Sequence, residues 1–222
     1  MQKFIIFGNF RISNCTFYDE FVFLLSTFQG SCSFYESNFK GKFSYNANRN
    51  NGKFNITNNN FSGNLILSGN RFNDIFSINT AKFNGITKIH SNKYLSNSTF
   101  AFLEFNNKSI FKNEQYNFTQ FQGIEYSNYR HSFENIQLTD KEVIKFRDIY
   151  FNDSVYFLNC PTYKMQFFNS YLIHTNFYSC QWNSLNRLII FNESDFLQET
   201  NELNKLENLY RQLKSSFQNS RD

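Results

Sequence analysis

Three cations recur at a fixed interval in this 222-residue sequence: Arg49, Arg71 and Lys93 are each 22 residues apart. In a chain that coils back on itself every 22 residues, that spacing stacks them one above another. Like charges held about 5 Å apart repel unless water or an anion separates them, so the ladder is a candidate binding site for an anionic partner. A solvated stripe is the competing reading. The other reactive residues are scattered. His90, His131 and His174 lie far apart, and His90 reads as an exposed or corner residue. Cys15, Cys32, Cys160 and Cys180 contain no C-x-x-C pair, which argues against a zinc site or a dense disulfide framework. They read as reduced structural thiols, with Cys15 and Cys32 on inward columns. Asp19 and Glu20 share a corner, while Glu36 and Asp74 lie coils away. Asp140, Glu142, Asp148 and Asp153 form the densest acidic stretch, and Glu193 and Asp195 alternate with Phe191 and Phe196. Acid and base catalysis needs carboxylates that converge, and these read as solvated charges. No serine nucleophile elbow, His-Glu-x-x-His or phosphate-cradling glycine loop is present. The sequence thus predicts no catalytic residue, no metal site and no cofactor.

Elements that could hold such a ladder follow from composition. Aromatic residues make up 20% of the chain, with 31 Phe and 13 Tyr, yet mean hydropathy is negative. The apolar matter is therefore concentrated in rings, which need a core. A net charge of +4 is too mild to require nucleic acid and too positive for a mimic of DNA. No apolar run reaches the roughly 18 residues of a membrane span, and the first ten residues are too short for a secretory signal. A cytoplasmic protein is the expectation.

The dominant pattern is a repeat of eleven. Phe17, Phe28, Phe39, Phe61, Phe72, Phe83, Tyr94 and Phe105 are spaced by eleven or its multiples, and only Asn50 breaks the row. Counting units from Ile6, position 7 is apolar throughout, from Ile12 to Phe111, and position 5 is mostly apolar, from Phe10 to Phe76. A polar residue between positions 5 and 7 gives the two-residue period of a strand. Position 3 holds Gly8, Gly30, Gly41, Gly52, Gly63 and Gly85 beside Asp and Asn, which predicts a corner built on residues that tolerate positive φ or make side-chain turns. An eleven-residue loop has a perimeter of roughly 36 Å, too tight to enclose three large side chains, so two units must form each coil. From residue 116 the register fails, because Gln120 and Gln122 fall where positions 5 and 7 should be apolar. Phe151, Val155 and Phe157 restore it, as do Leu185, Ile189 and Phe191. Thr139 to Glu142 could open a short helix or a polar loop. In the tail Leu203, Leu206, Tyr210, Leu213 and Phe217 step by three and four, an amphipathic helix with Thr200 or Asn201 as N-cap.

The triplets Ser37-Asn38-Phe39, Asn59-Asn60-Phe61, Ala81-Lys82-Phe83, Thr175-Asn176-Phe177 and Ser194-Asp195-Phe196 resemble the core of pentapeptide repeats. Phe-rich members of that family alternate steps of five and six, which also gives eleven. The resemblance implies an all-β solenoid: a right-handed quadrilateral parallel β-helix with a C-terminal amphipathic α-helix. Residues 1–115 would be regular coils, 116–196 less regular coils with insertions, and 197–222 a capping helix. Asn50 and Leu103 depart from the pattern, predicting a bulge or shifted corner at each. Tyr210-Arg211-Gln212-Leu213-Lys214 is similar to a stretch of the terminal helix in such proteins, whose simplest task is to cover an open sheet edge. Met1 falls in mid-unit, and related proteins run on past the terminal helix, so the sequence reads as a piece of a longer product. Any membrane association would come through segments outside this chain. The expected function is a non-enzymatic scaffold presenting a repetitive polar surface to a protein partner. Alternatives are a topoisomerase-directed mimic of DNA, a carbohydrate-active β-helix enzyme, or a membrane-tethered module.

Overall fold

Alternation at positions 5 to 8 of each unit makes four-residue strands, and position 11 with the following position 1 makes two-residue strands. The computed structural model describes residues 4–127, 129–139, 143–151, 155–182 and 203–219. Strands stack in parallel on those 22 residues away, as in Phe54 on Phe76 and Leu65 on Thr87, so two units do form one coil. Each coil has four sides. The first long face passes through Phe10–Ser13, Cys32–Tyr35 and Phe54–Thr57, and the first short face through Thr16–Phe17, Asn38–Phe39 and Asn60–Phe61. The second long face contains Phe21–Leu24 and Phe43–Asn46, and the second short face Thr27–Phe28 and Arg49–Asn50. Among the described residues each long face carries eight strands. Strands Phe76–Phe83 and Ser98–Phe105 run round one corner and join the first long and first short faces in a single sheet. The result is a four-sided parallel β-solenoid closed by a helix.

Inward rings form columns along the axis. On the first short face Phe17, Phe39, Phe61, Phe83, Phe105, Tyr126 and Phe151 stack with centroid separations of 4.9 to 5.4 Å. Offset stacking adds about 0.5–1.5 kcal/mol per pair to the burial of each ring. Rings from the long faces meet these edge-on, as Phe43 meets Phe39 at 4.8 Å and 80°.

The corners differ from the prediction. Positive φ belongs to position 9, not position 3: Asn14, Leu25, Glu36, Ala47, Asn58, Thr80, Ser91 and Phe102 have φ between 47° and 58°. Asn, Asp and Gly take many of these corners, yet Leu25, Glu36 and Phe102 adopt the same turn, because the stacked coils impose it. Position 3 glycines serve close approach instead. A Cβ on Gly41 would collide with the backbone of Asp19 one coil away, and one on Gly63 with that of Gly41.

Neither predicted irregularity occurs. Asn50 sits in register between Phe28 and Phe72, fully buried, and the Tyr45 hydroxyl donates to its Oδ1 at 2.6 Å. That hydrogen bond lets an amide occupy a ring position. Leu103 pairs with Ala81 in register, buried, because the corner residues Thr80 and Phe102 keep their left-handed turn. Nor does the register end at residue 116. It slips by one at a shortened corner, so that Thr119 and Phe121, not Gln120 and Gln122, face inward. Later coils pair Thr119 with Ile144 and Val155 with Thr175, steps of 25 and 20.

Helix α1 (Leu203–Asn219) packs against the last described strand of the second long face, Thr175–Tyr178. Its buried stripe is Leu206, Leu209 and Leu213, with Tyr210 partly covered, while Leu203 is 71% exposed. Leu203 thus departs from the predicted stripe, Leu209 joins it unpredicted, and the Phe217 side chain lies outside the described residues. Gln212 accepts a hydrogen bond at its Oε1 from the Leu172 backbone N–H, a donor on the last described coil, which ties the helix to that coil. Asp140 to Glu142, Asp153, the stretch from Leu185 through Glu193 to Phe196, and Thr200 and Asn201 lie outside the described residues.

Candidate functional site

The second short face brings Arg49, Arg71 and Lys93 into register on adjacent strands. Thr27 precedes them and Gln115 and Gln137 follow. At the usual spacing of parallel strands, about 4.8 Å, the three cations span about 10 Å. Arg49 and Arg71 are exposed and Lys93 half-buried. A second ladder holds the guanidinium groups in place. Arg49 Nε donates to Asn51 Oδ1 at 3.1 Å, and Arg71 Nε to Asn73 Oδ1 at 2.9 Å. Asn73 in turn donates to Asn51, and Asn51 to Gln29, each at 2.6 Å. Among the described residues no carboxylate pairs with any of the three cations. The amides bind the inner edge of each guanidinium, leaving its terminal nitrogens for an anion. Asn51 and Asn73 were not singled out from the sequence, although they lie two residues after each Arg and 22 apart.

Directly behind this surface runs a buried amide column, Asn48, Asn70 and Asn92, each fully enclosed. Each side-chain oxygen accepts from a backbone N–H on the preceding coil: Asn48 from Ser26, Asn70 from Asn48 and Asn92 from Asn70, at 2.8 to 2.9 Å. Each Nδ2 donates to a carbonyl, from Phe23, Tyr45 or Leu67. Corner backbone groups with no strand partner are satisfied in this way. Glu114 ends the column, its Oε1 accepting from the Asn92 backbone N–H at 3.0 Å. Burial pushes the Glu114 carboxyl up to about 8, opposed by its hydrogen bonds from Asn92. It is mostly neutral at pH 7. The signal for this column was the same 22-residue interval, hidden because Asn is so common in the chain.

The remaining candidates stay apart. His90 lies outward on the second long face, 3.3 Å from Ser68 Oγ, its pKa lowered by partial burial and then by Lys88 and Lys112. His131 points inward and is fully buried; its Nε2–H donates to the Ser127 carbonyl and its Nδ1 pairs with the Ser109 hydroxyl at 2.9 Å. His174 lies edge-on to the Tyr171 ring at 6.4 Å. Glu20 pairs with Lys42 at 2.7 Å, Asp74 accepts from the Ile75 N–H, and Asp148 accepts from Asn169 at 2.7 Å. Among the described residues no group of three or more His, Cys, Asp or Glu is placed to hold a metal ion. Cys32 is buried, but Cys15 is exposed, a departure from its predicted inward setting: its column continues on one side through Ser37, and no described residue covers the other. A cleft of about 410 Å³ at the far end of the basic ladder is lined by Gln115, Gln137, Asn159, Tyr163, Lys164 and Gln181, amides and a cation in place of converging acids. Among the described residues no helix is long and apolar enough to cross a membrane. No family model, curated protein or solved structure matches the chain.

Proposed function

We propose that the chain is a non-enzymatic scaffold of the pentapeptide-repeat kind whose second short face binds an acidic surface of a protein partner. The supporting observation is the row Arg49, Arg71 and Lys93, in register on adjacent strands, the two arginines steadied by Asn51 and Asn73, with no paired carboxylate among the described residues. A preorganised cation row loses little side-chain entropy on binding, and its charge speeds encounter with an acidic partner. The test uses fluorescence anisotropy with poly-L-glutamate at low salt, on the full chain and on a variant with Arg49, Arg71 and Lys93 all changed to Ala. A weakening of roughly tenfold in the variant supports the reading. Equal binding by both removes the ladder as the site, and tighter binding to duplex DNA than to poly-L-glutamate in a parallel arm overturns the protein-partner assignment.

A further inference from the structure

Past Glu114, where the amide column ends, the same corner line runs on to two thiols. Beyond Glu114 its successive rungs are Ile136, Cys160 and Cys180, each one coil above the last. Strand Val155–Leu158 pairs with Thr175–Tyr178 in register, and the Gln181 N–H donates to the Cys160 carbonyl at 2.9 Å. Cys160 and Cys180 therefore face each other directly. Side chains on consecutive rungs of this column touch, as Asn70 Nδ2 touches Asn92 Oδ1 at 2.9 Å. Both sulfurs adopt the orientation of the asparagines: Cys160 Sγ lies 3.3 Å from the Phe133 carbonyl, and Cys180 Sγ 3.3 Å from the Phe157 carbonyl. Lateral neighbours in a parallel sheet have Cα atoms about 4.8 Å apart, inside the 4.4–6.8 Å range of disulfides.

The two thiols are not equivalent. Cys160 is fully buried, whereas Cys180 is half-buried at the margin of the core, beside Trp182. The neighbouring sulfurs bias each other: the contact with Cys160 lowers the Cys180 thiol and raises that of Cys160. A half-buried thiol of lowered pKa stacked on a second, fully buried thiol is the arrangement of a redox sensor with its resolving partner.

We propose that Cys160 and Cys180 form a peroxide-responsive thiol pair that closes reversibly into a disulfide joining two coils of the solenoid next to its helical cap. The Cys180 thiolate attacks hydrogen peroxide, breaking the O–O bond to give a sulfenic acid and hydroxide. The Cys160 thiol then condenses with it: the S–S bond forms, the S–O bond breaks, and water leaves. In total two thiols and one peroxide give one disulfide and two waters, the sulfurs losing two electrons and the peroxide oxygens gaining them. A thiol reductant reverses the change. The closed loop would restrain the chain between two neighbouring coils beneath α1.

The test titrates the folded full chain with hydrogen peroxide and maps thiols by non-reducing peptide mass spectrometry. A Cys160–Cys180 cross-linked peptide should form while the β circular dichroism signal is unchanged, and dithiothreitol should remove it. Cys160→Ala should halt at a sulfenic acid on Cys180 that dimedone traps, and Cys180 should alkylate at least ~10-fold faster than buried Cys32. The proposal is overturned if the cross-link appears only after the β signal is lost, or if peroxide modifies Cys15 while Cys160 and Cys180 both remain free. The wild-type map alone decides it should the variant fail to fold.

Discussion

Between residues 10 and 115 the strands pair at a constant offset of 22, whereas beyond them the offsets range from 20 to 25. The inner rings ignore the change. Phe100, Phe121, Phe146 and Phe167 stack at 4.7 to 5.1 Å across coils of unequal length, as tightly as Phe54 on Phe76 at 5.3 Å. The corners do not ignore it. In the regular coils most of these corners are held by Asn48, Asn59, Asn70 and Asn92, whose hydrogen bonds reach groups at fixed positions on the preceding coil, with Ala81 and Leu103 filling two others. In the irregular coils most of the equivalent places carry no amide: buried Ile124, Ile136, Ile149 and Cys160 occupy them, and Ser170 alone offers a side-chain oxygen to the Ile149 N–H. Hydrogen bonds are directional and fix the number of residues between rungs; apolar packing is not, and tolerates a residue more or fewer.

The ring columns give the strongest way to break this comparison. Phe61→Ala and Phe146→Ala should each cost about 3–5 kcal/mol by chemical denaturation, because both rings lie inside continuous stacks. A loss below about 1 kcal/mol at Phe146 would mean the irregular coils do not share the core. Next comes Glu114, where the amide column gives way to the apolar one. Its carboxyl is raised in the folded chain, so its contribution to stability is full below its ordinary value of 4.5 and is lost as pH rises through about 8. Glu114→Gln should therefore raise stability at pH 9 by on the order of 3 kcal/mol and flatten its dependence across that window. Thermal melts at pH 5 and pH 9 that shift equally would refute this. Asn70→Ala strips the Asn48 N–H and the Tyr45 carbonyl of their partner and should cost about 2 kcal/mol, measured by urea unfolding. Ile136→Val, at the matching place in an irregular coil, should cost about 1 kcal/mol, and equal losses would erase the distinction between the two corner types. Smallest is Gln212→Ala, about 1 kcal/mol, detectable as faster hydrogen exchange at Leu172; unchanged exchange there would deny Gln212 its capping part.

The repeat made much of the fold legible in the sequence. Periodicity at two and eleven residues marks inward positions, since only burial selects rings so consistently, and perimeter alone requires two units per coil. Position 9 is hard to read because the turn imposed by stacking admits Leu25, Glu36 and Phe102 beside the expected Asn and Gly. The slip at residue 116 was misread as a loss of register because a shortened corner exchanges the columns while the strand continues. Arg49, Arg71 and Lys93 could be found by interval, but Asn51 and Asn73, which steady them, look like any surface Asn. Cys160 and Cys180 looked remote because their spacing of 20 matches no regular coil.

The corner column that accepts Asn, Glu, Thr and Phe at residues 14, 36, 58, 80 and 102 has a metrological consequence. Successive rungs act as graduations about 4.8 Å apart along one edge. A group placed at Glu36, Asn58 or Thr80 is thereby set at a known height without disturbing the core, so the solenoid can serve as a molecular ruler on which spacing is written by residue number alone.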